Sequence, residues 1–153
     1  MIKKITFLFI IILSSMITNI SSKENEMNIL SNKLEINTDQ RTSIFTGNVH
    51  AIDNTIKLWS DKMVITLKSD KDEIKEILAS GNVKIIKLNE KREIYGDTAK
   101  YFLEDEIIVV TGNVLVKDID SQVKGSKLTV ELKNSSSIIL GSDSNRVEAI
   151  ITK

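Results

Sequence analysis

Cysteine and proline are both missing from the 153 residues of this chain. Without cysteine there is no disulfide framework and no thiolate nucleophile or ligand. Without proline, no strand ladder loses a hydrogen bond to a ring nitrogen. Aromatic residues are few, four Phe, two Tyr and one Trp. The core must therefore be aliphatic, and there is no aromatic platform for stacking bases. Neither sign of charge is in excess: 21 basic and 21 acidic residues are spread along the chain, for a formal net charge of zero. A nucleic-acid footprint needs Lys and Arg clustered on one face, so nucleic acid is excluded as a partner. The single histidine, His50, cannot assemble a metal cluster and reads as an exposed strand residue. No glycine-rich loop leads into a helix, so there is no phosphate cradle. Neither a metal nor a cofactor is expected, and nothing resembles a catalytic centre.

Long apolar runs are also missing, with one informative exception. Lys3 and Lys4 precede the nine-residue run Ile5–Leu13, after which Ser14, Ser15, Thr18, Asn19, Ser21 and Ser22 break the apolarity. A spanning helix wants roughly 18 or more apolar residues. A short basic segment, a short apolar run and a small polar end describe a secretory signal. The expectation is a cleaved signal over residues 1–22, rather than a retained anchor, and one exported domain over 23–153. Export suits a chain without free thiols.

What the chain does have is a repeat. Gly47-Asn48-Val49, Gly81-Asn82-Val83 and Gly112-Asn113-Val114 recur at spacings of 34 and 31 residues, and such periods signal repeated architecture. Each triplet lies in an apolar-alternating run of strand length. A second such run follows, through Ser60-Asp61, Gly96-Asp97 or Gly125-Ser126. In the second run Met63/Ile65/Leu67, Ala99/Tyr101/Leu103 and Leu128/Val130/Leu132 fall in phase, separated mostly by Lys, Thr and Glu. Leu34/Ile36 supply the same phase in an opening half-copy. Phe45, Ala79 and Val110 share a face with Val49/Ala51, Val83/Ile85 and Val114/Val116. Strands with one apolar and one mostly polar face make antiparallel sheets covered on one side. The phase reverses for Leu58, Ile94 and Val123, ahead of Ser60, Gly96 and Gly125, as a bulge or a corner between sheets would require.

The chain begins and ends with partial units, as the ends of a stacked array should. Ser137–Leu140 and Arg146–Ile151 form the closing one. Ser69-Asp70-Lys71-Asp72-Glu73 reads as a solvated loop, and Ile77 and Ala79 fit a strand better than a helix. Asp61 and Asp97 occupy equivalent bends, where Asp is favoured for local backbone bonding, and do not form a catalytic pair. The apolar face is then either ordinary packed core or, because Ala51, Ala79 and Ala99 are small, the wall of a slot for acyl chains. Patterning leaves these two readings open.

The Gly-Asn-Val units, with Ser60-Asp61-Lys62-Met63-Val64 and Gly125-Ser126-Lys127-Leu128-Thr129, resemble the LptA (OstA-like) family of lipopolysaccharide transport proteins across about Leu30 to Ile151. That resemblance implies an all-β fold: an open, V-shaped jellyroll of two facing antiparallel sheets, with no substantial helix after the signal. It implies a periplasmic, non-enzymatic carrier that holds lipid A acyl chains of lipopolysaccharide in an apolar groove. It also implies head-to-tail stacking into a bridge from an LptC-like inner-membrane component to an LptD-like outer-membrane translocon. The groove would be lined by Leu34, Ile36, Phe45, Val49, Met63, Ile65, Leu67, Val83, Ile85, Tyr101, Leu103, Val114, Val116, Leu128, Val130 and Leu132. Two alternatives stand beside it: an LptC-like anchored component of the same pathway, and an exported scaffold with a dry interior.

Overall fold

A computed structural model describes residues 26–152, so the expected signal segment, 1–22, lies outside the described residues. The alternating runs form ten strands and, among the described residues, no helix. They are β1 (Asn28–Leu30), β2 (Lys33–Asn37), β3 (Thr42–Ile52), β4 (Ile56–Leu67), β5 (Ile74–Lys87), β6 (Arg92–Phe102), β7 (Ile107–Lys117), β8 (Ser121–Glu131), β9 (Ser136–Leu140) and β10 (Glu148–Ile151). Every strand from β3 to β8 pairs antiparallel with its chain neighbours. The expected loop at 69–73 and strand through Ile77 and Ala79 are both found.

The two facing sheets are two arms of one continuous ladder, creased where the register slips. The slip falls between Thr46 and Val49 on β3, between Ser80 and Val83 on β5, and between Thr111 and Val114 on β7. At each slip a Gly-Asn pair stands against a single residue of the partner strand. Both members of each pair have positive φ: 83° and 46° at Gly47-Asn48, 77° and 48° at Gly81-Asn82, 77° and 47° at Gly112-Asn113. Glycine takes that conformation without a Cβ penalty, and Asn tolerates it better than most residues. Two residues opposite one is a β-bulge, which bends the strand and increases its twist. The odd strand keeps its inward parity across four residues (Phe45 and Val49; Ala79 and Val83). The even strand must change parity, and this is the phase reversal at Leu58, Ile94 and Val123.

The first arm contains residues 42–46, 62–67, 74–80, 98–102, 107–111 and 127–131; the second contains 49–52, 56–60, 83–87, 92–96, 114–117 and 121–125. The terminal strands are split at the crease. β2 edges the first arm and β1 the second, both against β3; β9 and β10 do the same against β8. Asn32, between β1 and β2, stands where Asp61 and Asp97 stand on later strands, and its N–H donates to the Gly47 carbonyl at 2.9 Å. The partial units at both ends are thus strands cut in two by the same crease.

The buried core draws on both arms: Met63, Ala79, Ala99, Val110 and Leu128 from the first, Val49, Ala51, Val83, Ile85 and Val114 from the second. Volume is complementary beside the crease. A Cβ added to Gly96 would lie 2.4 Å from Val110 Cγ1, and one added to Gly125 would lie 2.4 Å from Ile139 Cγ2. The equivalent station on β4 carries Ser60, where the residue in the place of Val110 is Ala79.

Candidate functional site

Where the arms diverge from the crease they leave an elongated apolar cavity of about 620 Å3. That is within the usual range for a site that takes a small molecule. The strands position its wall by alternation: Met63, Ala79, Ala99 and Leu128 line the first arm near the crease, with Ile77, Tyr101, Ile108 and Val130 one row further out. Ala51, Leu58, Ile85, Ile94, Val116 and Val123 line the second arm, a row joined strand to strand by direct cross-strand pairing. Gly96 and the alanines keep the floor low, which leaves space between the arms.

Seven of the sixteen residues expected in the groove are in this wall: Met63, Ile85, Tyr101, Val116, Leu128, Val130 and Leu132. Val49, Val83 and Val114 are buried beneath it at the crease. Phe45, Ile65 and Leu103 pack on the core outside the wall, and Leu67 is half-buried at the end of β4. Leu34 and Ile36 are 49% and 72% exposed on the edge strand β2. Their phase matches the inner face, but β2 is the last strand of its arm and its inner face is left uncovered. The expectation omitted Leu58, Ile94 and Val123; carrying the period-2 pattern through the bulge would have found them.

Asp61 and Asp97 have a role other than local backbone bonding. Asn82 donates from Nδ2 to Asp61 Oδ2 at 2.8 Å, and Asn113 to Asp97 Oδ2 at 2.9 Å. These exposed side chains cross the crease and tie the β5 and β7 bulges to the strand before each. They also explain the glycines, since a Cβ on Gly81 or Gly112 would strike Asp61 Oδ2 at 2.3 Å or Asp97 Oδ2 at 2.2 Å. His50 is on the outer face of the second arm, where its ring stacks on Trp59 with centroids 4.7 Å apart. Among the described residues no group of His, Cys, Asp and Glu could hold a metal ion.

Charge is concentrated at one edge of the cavity, with Lys100 on β6 bordering it elsewhere. Asp53, Lys87, Arg92 and Asp118 line it at the strand ends of the second arm. The corresponding positions on the first arm are Leu67, Leu103 and Leu132. Burial would raise the pKa of the Asp53 carboxyl, but hydrogen bonds from the Thr55 and Ile56 N–H groups and the Thr55 hydroxyl outweigh it and hold the pKa below its ordinary value. Asp118 is also held low, by the Ile119 N–H and then by Arg92. On the wall of the first arm, burial pushes the Tyr101 hydroxyl up. The arrangement offers apolar volume with one polar lip and no nucleophile–base pair; it suits the burial of hydrocarbon.

A family model described as LptA/(LptD N-terminal domain) LPS transport protein matches residues 28–136. The chain is 26% identical over 130 residues to the lipopolysaccharide export system protein LptA of Haemophilus influenzae, covering 82% of this chain and 76% of that one. With the protein of the same name from Escherichia coli K12 it shares 28% over 113 residues, 70% of this chain and 60% of that one. The chain thus spans about three-quarters of the first relative and three-fifths of the second. The crystal structure of LptH from Pseudomonas aeruginosa, the LptA-homologous periplasmic component of its lipopolysaccharide transport device, matches with a TM-score of 0.75 at 14% identity. That match covers 87% of this chain and 99% of LptH, a likeness of fold.

Proposed function

The chain belongs to the LptA/(LptD N-terminal domain) family of lipopolysaccharide transport proteins, and from that premise we propose that it is a periplasmic lipopolysaccharide carrier that works without catalysis. The observation that carries this reading is the apolar cavity between the arms. Acyl chains moved there from water would gain about 0.8 kcal/mol per buried methylene, enough in sum to hold an amphiphile without covalent chemistry. Energy for directional movement would come from elsewhere in the transport system.

The same reading includes end-to-end assembly. β1, β2, β9 and β10 each pair on one side only, leaving open edges that invite strand addition. Seven of the ten exposed large apolar residues among the described residues are on these four strands: Leu30, Leu34, Ile36, Ile138, Leu140, Ile150 and Ile151. Joining the β9/β10 end of one copy to the β1/β2 end of the next would cover them and continue the cavity. An LptC-like component at one end and an LptD-like translocon at the other would meet the same edges.

Photocrosslinking tests the carrier. A photoreactive residue at Tyr101, in the cavity wall, should crosslink to lipopolysaccharide, and one at Lys127, on the outer face, should not. If folded protein gives no crosslink at Tyr101, the carrier is refuted and the chain is a scaffold with a dry interior.

A further inference from the structure

The polar lip breaks the pattern that builds the rest of the cavity. Inward positions on β5 run Ala79, Val83, Ile85 and then Lys87; on β6 they run Ala99, Gly96, Ile94 and then Arg92. Lys87 and Arg92 are direct cross-strand partners, and like charges so placed repel each other. Acidic neighbours relieve this. Glu90, in the turn between them, pairs with Lys87 and with Arg92 Nη1 at 3.1 Å, and Asp118 accepts from Arg92 Nε at 3.2 Å and Nη2 at 3.1 Å. Lys100 also borders the cavity, but its ammonium lies over the Phe102 ring and pairs with Glu76. The lip therefore holds two cations, Lys87 and Arg92, among three acids, Asp53, Glu90 and Asp118, opposite leucines at the other.

We propose that this lip is a phosphate subsite: Arg92, assisted by Lys87, binds a phosphate on the polar head of the amphiphile whose acyl chains fill the cavity. The proposal rests on the lipid-carrier reading. A guanidinium presents donors in a planar fork that matches phosphate oxygens two at a time. Its present partners are exchangeable, because the Arg92, Glu90 and Asp118 side chains are 37%, 39% and 32% exposed and such pairs hold weakly. A phosphate carrying up to two charges competes with two carboxylates for the guanidinium, Asp118 on Nε and Nη2 and Glu90 on Nη1. The amphiphile would then be oriented, with its head at the second arm and its chains toward Tyr101 and Leu132 on the first.

Binding of a phosphorylated lipid A disaccharide and of its enzymatically dephosphorylated counterpart would be compared by equilibrium fluorescence, using the exported chain. Arg92→Gln and Lys87→Gln should each weaken binding of the phosphorylated form about tenfold, the loss expected for one charge-assisted contact, and weaken the dephosphorylated form much less, so that the ratio of the two affinities falls. Asp118→Asn frees the guanidinium and should tighten the phosphorylated form, opposite in sign to any loss caused by misfolding. If the wild type binds both forms and none of the three variants separates them, the subsite is overturned and the carrier stands. If the wild type binds neither form, the carrier reading falls and the subsite with it.

Discussion

Gly96→Ala is a small change with a large expected effect, because its new methyl must occupy space that Val110 already fills. The added Cβ would lie 2.4 Å from Val110 Cγ1, against 3.4–4 Å for ordinary contact. Gly96 has no positive φ, so the methyl itself is the perturbation. Overpacking of this kind costs about 1–3 kcal/mol. Removing a glycine from a strand interior returns about 0.5–1 kcal/mol. The net expectation is a loss of about 1–2 kcal/mol. Val110→Ala, at a fully buried position, removes two methyl groups at about 0.8 kcal/mol each and leaves a cavity, for about 2–3 kcal/mol in all. Independent effects would sum to roughly 3–5 kcal/mol. The double variant instead puts the Gly96 methyl into the Val110 vacancy, an arrangement the chain already uses one unit earlier with Ser60 and Ala79. It should be no less stable than Val110→Ala alone, a coupling of about 1–2 kcal/mol. Urea unfolding followed by far-ultraviolet circular dichroism gives all three values, with an unchanged slope confirming a common unfolded state. Additive losses in the double variant, or a stabilising Gly96→Ala, would refute the packing argument.

Three further predictions concern the crease, the charges and the ends. Replacing Asp61 and Asp97 together by Ala should cost about 1–3 kcal/mol, roughly 0.5–1.5 per exposed hydrogen bond. It should also broaden the distance distribution between spin labels at Glu90 and Asp105, which are easily placed in a chain without cysteine; an unchanged distribution in folded protein would remove the bond's role in fixing the arms. For pH, the Asp118 carboxyl is depressed below its ordinary 3.8, so its contribution is complete above that value and is lost as pH falls through the folded-state pKa. The Lys84 ammonium is raised above 10.5, by Tyr95 and then Glu93, so its contribution is complete below that value and is lost as pH rises through the folded pKa. Thermal melts should accordingly decline at both extremes, with Asp118→Asn flattening the acid limb and Lys84→Met the alkaline one; parallel curves would contradict the assignment. Finally, Leu34→Lys with Ile36→Lys should weaken self-association in sedimentation velocity and leave the monomer's melting temperature within about 2 °C, since exposed substitutions change stability little.

The repeat, the antiparallel hairpins and the crease were all legible in the residues. Side-chain alternation is a property of one strand, and a parity reversal beside a small residue leaves its mark in the sequence whichever partner the strand finds. The parity signal pointed to Ser60, Gly96 and Gly125, whereas the bulges themselves are at Gly47-Asn48, Gly81-Asn82 and Gly112-Asn113, because the bulged strand keeps its inward parity and only its partner shows the reversal. The groove itself was legible only in part. Met63, Tyr101 and Leu128 entered its wall as their phase implied, whereas Leu34 and Ile36 share that phase and stand exposed, because phase does not say whether another strand covers the end of the array. Val49, Val83 and Val114 have the groove's parity too, but proximity to the crease buries them as floor. Asp61 and Asp97 looked like turn residues until strand pairing brought Asn82 and Asn113 within hydrogen-bonding distance. The lip was the least visible feature. Lys87, Arg92 and Asp118 are ordinary strand-end charges in one dimension; pairing of β5, β6 and β7 brings them together at the end of the second arm, and the fold between the arms makes that end a lip of the cavity. The sequence determined by itself what is periodic and local; the tertiary structure alone decided which inward positions are floor, wall or open edge, because those depend on distance from a crease made jointly by neighbouring strands.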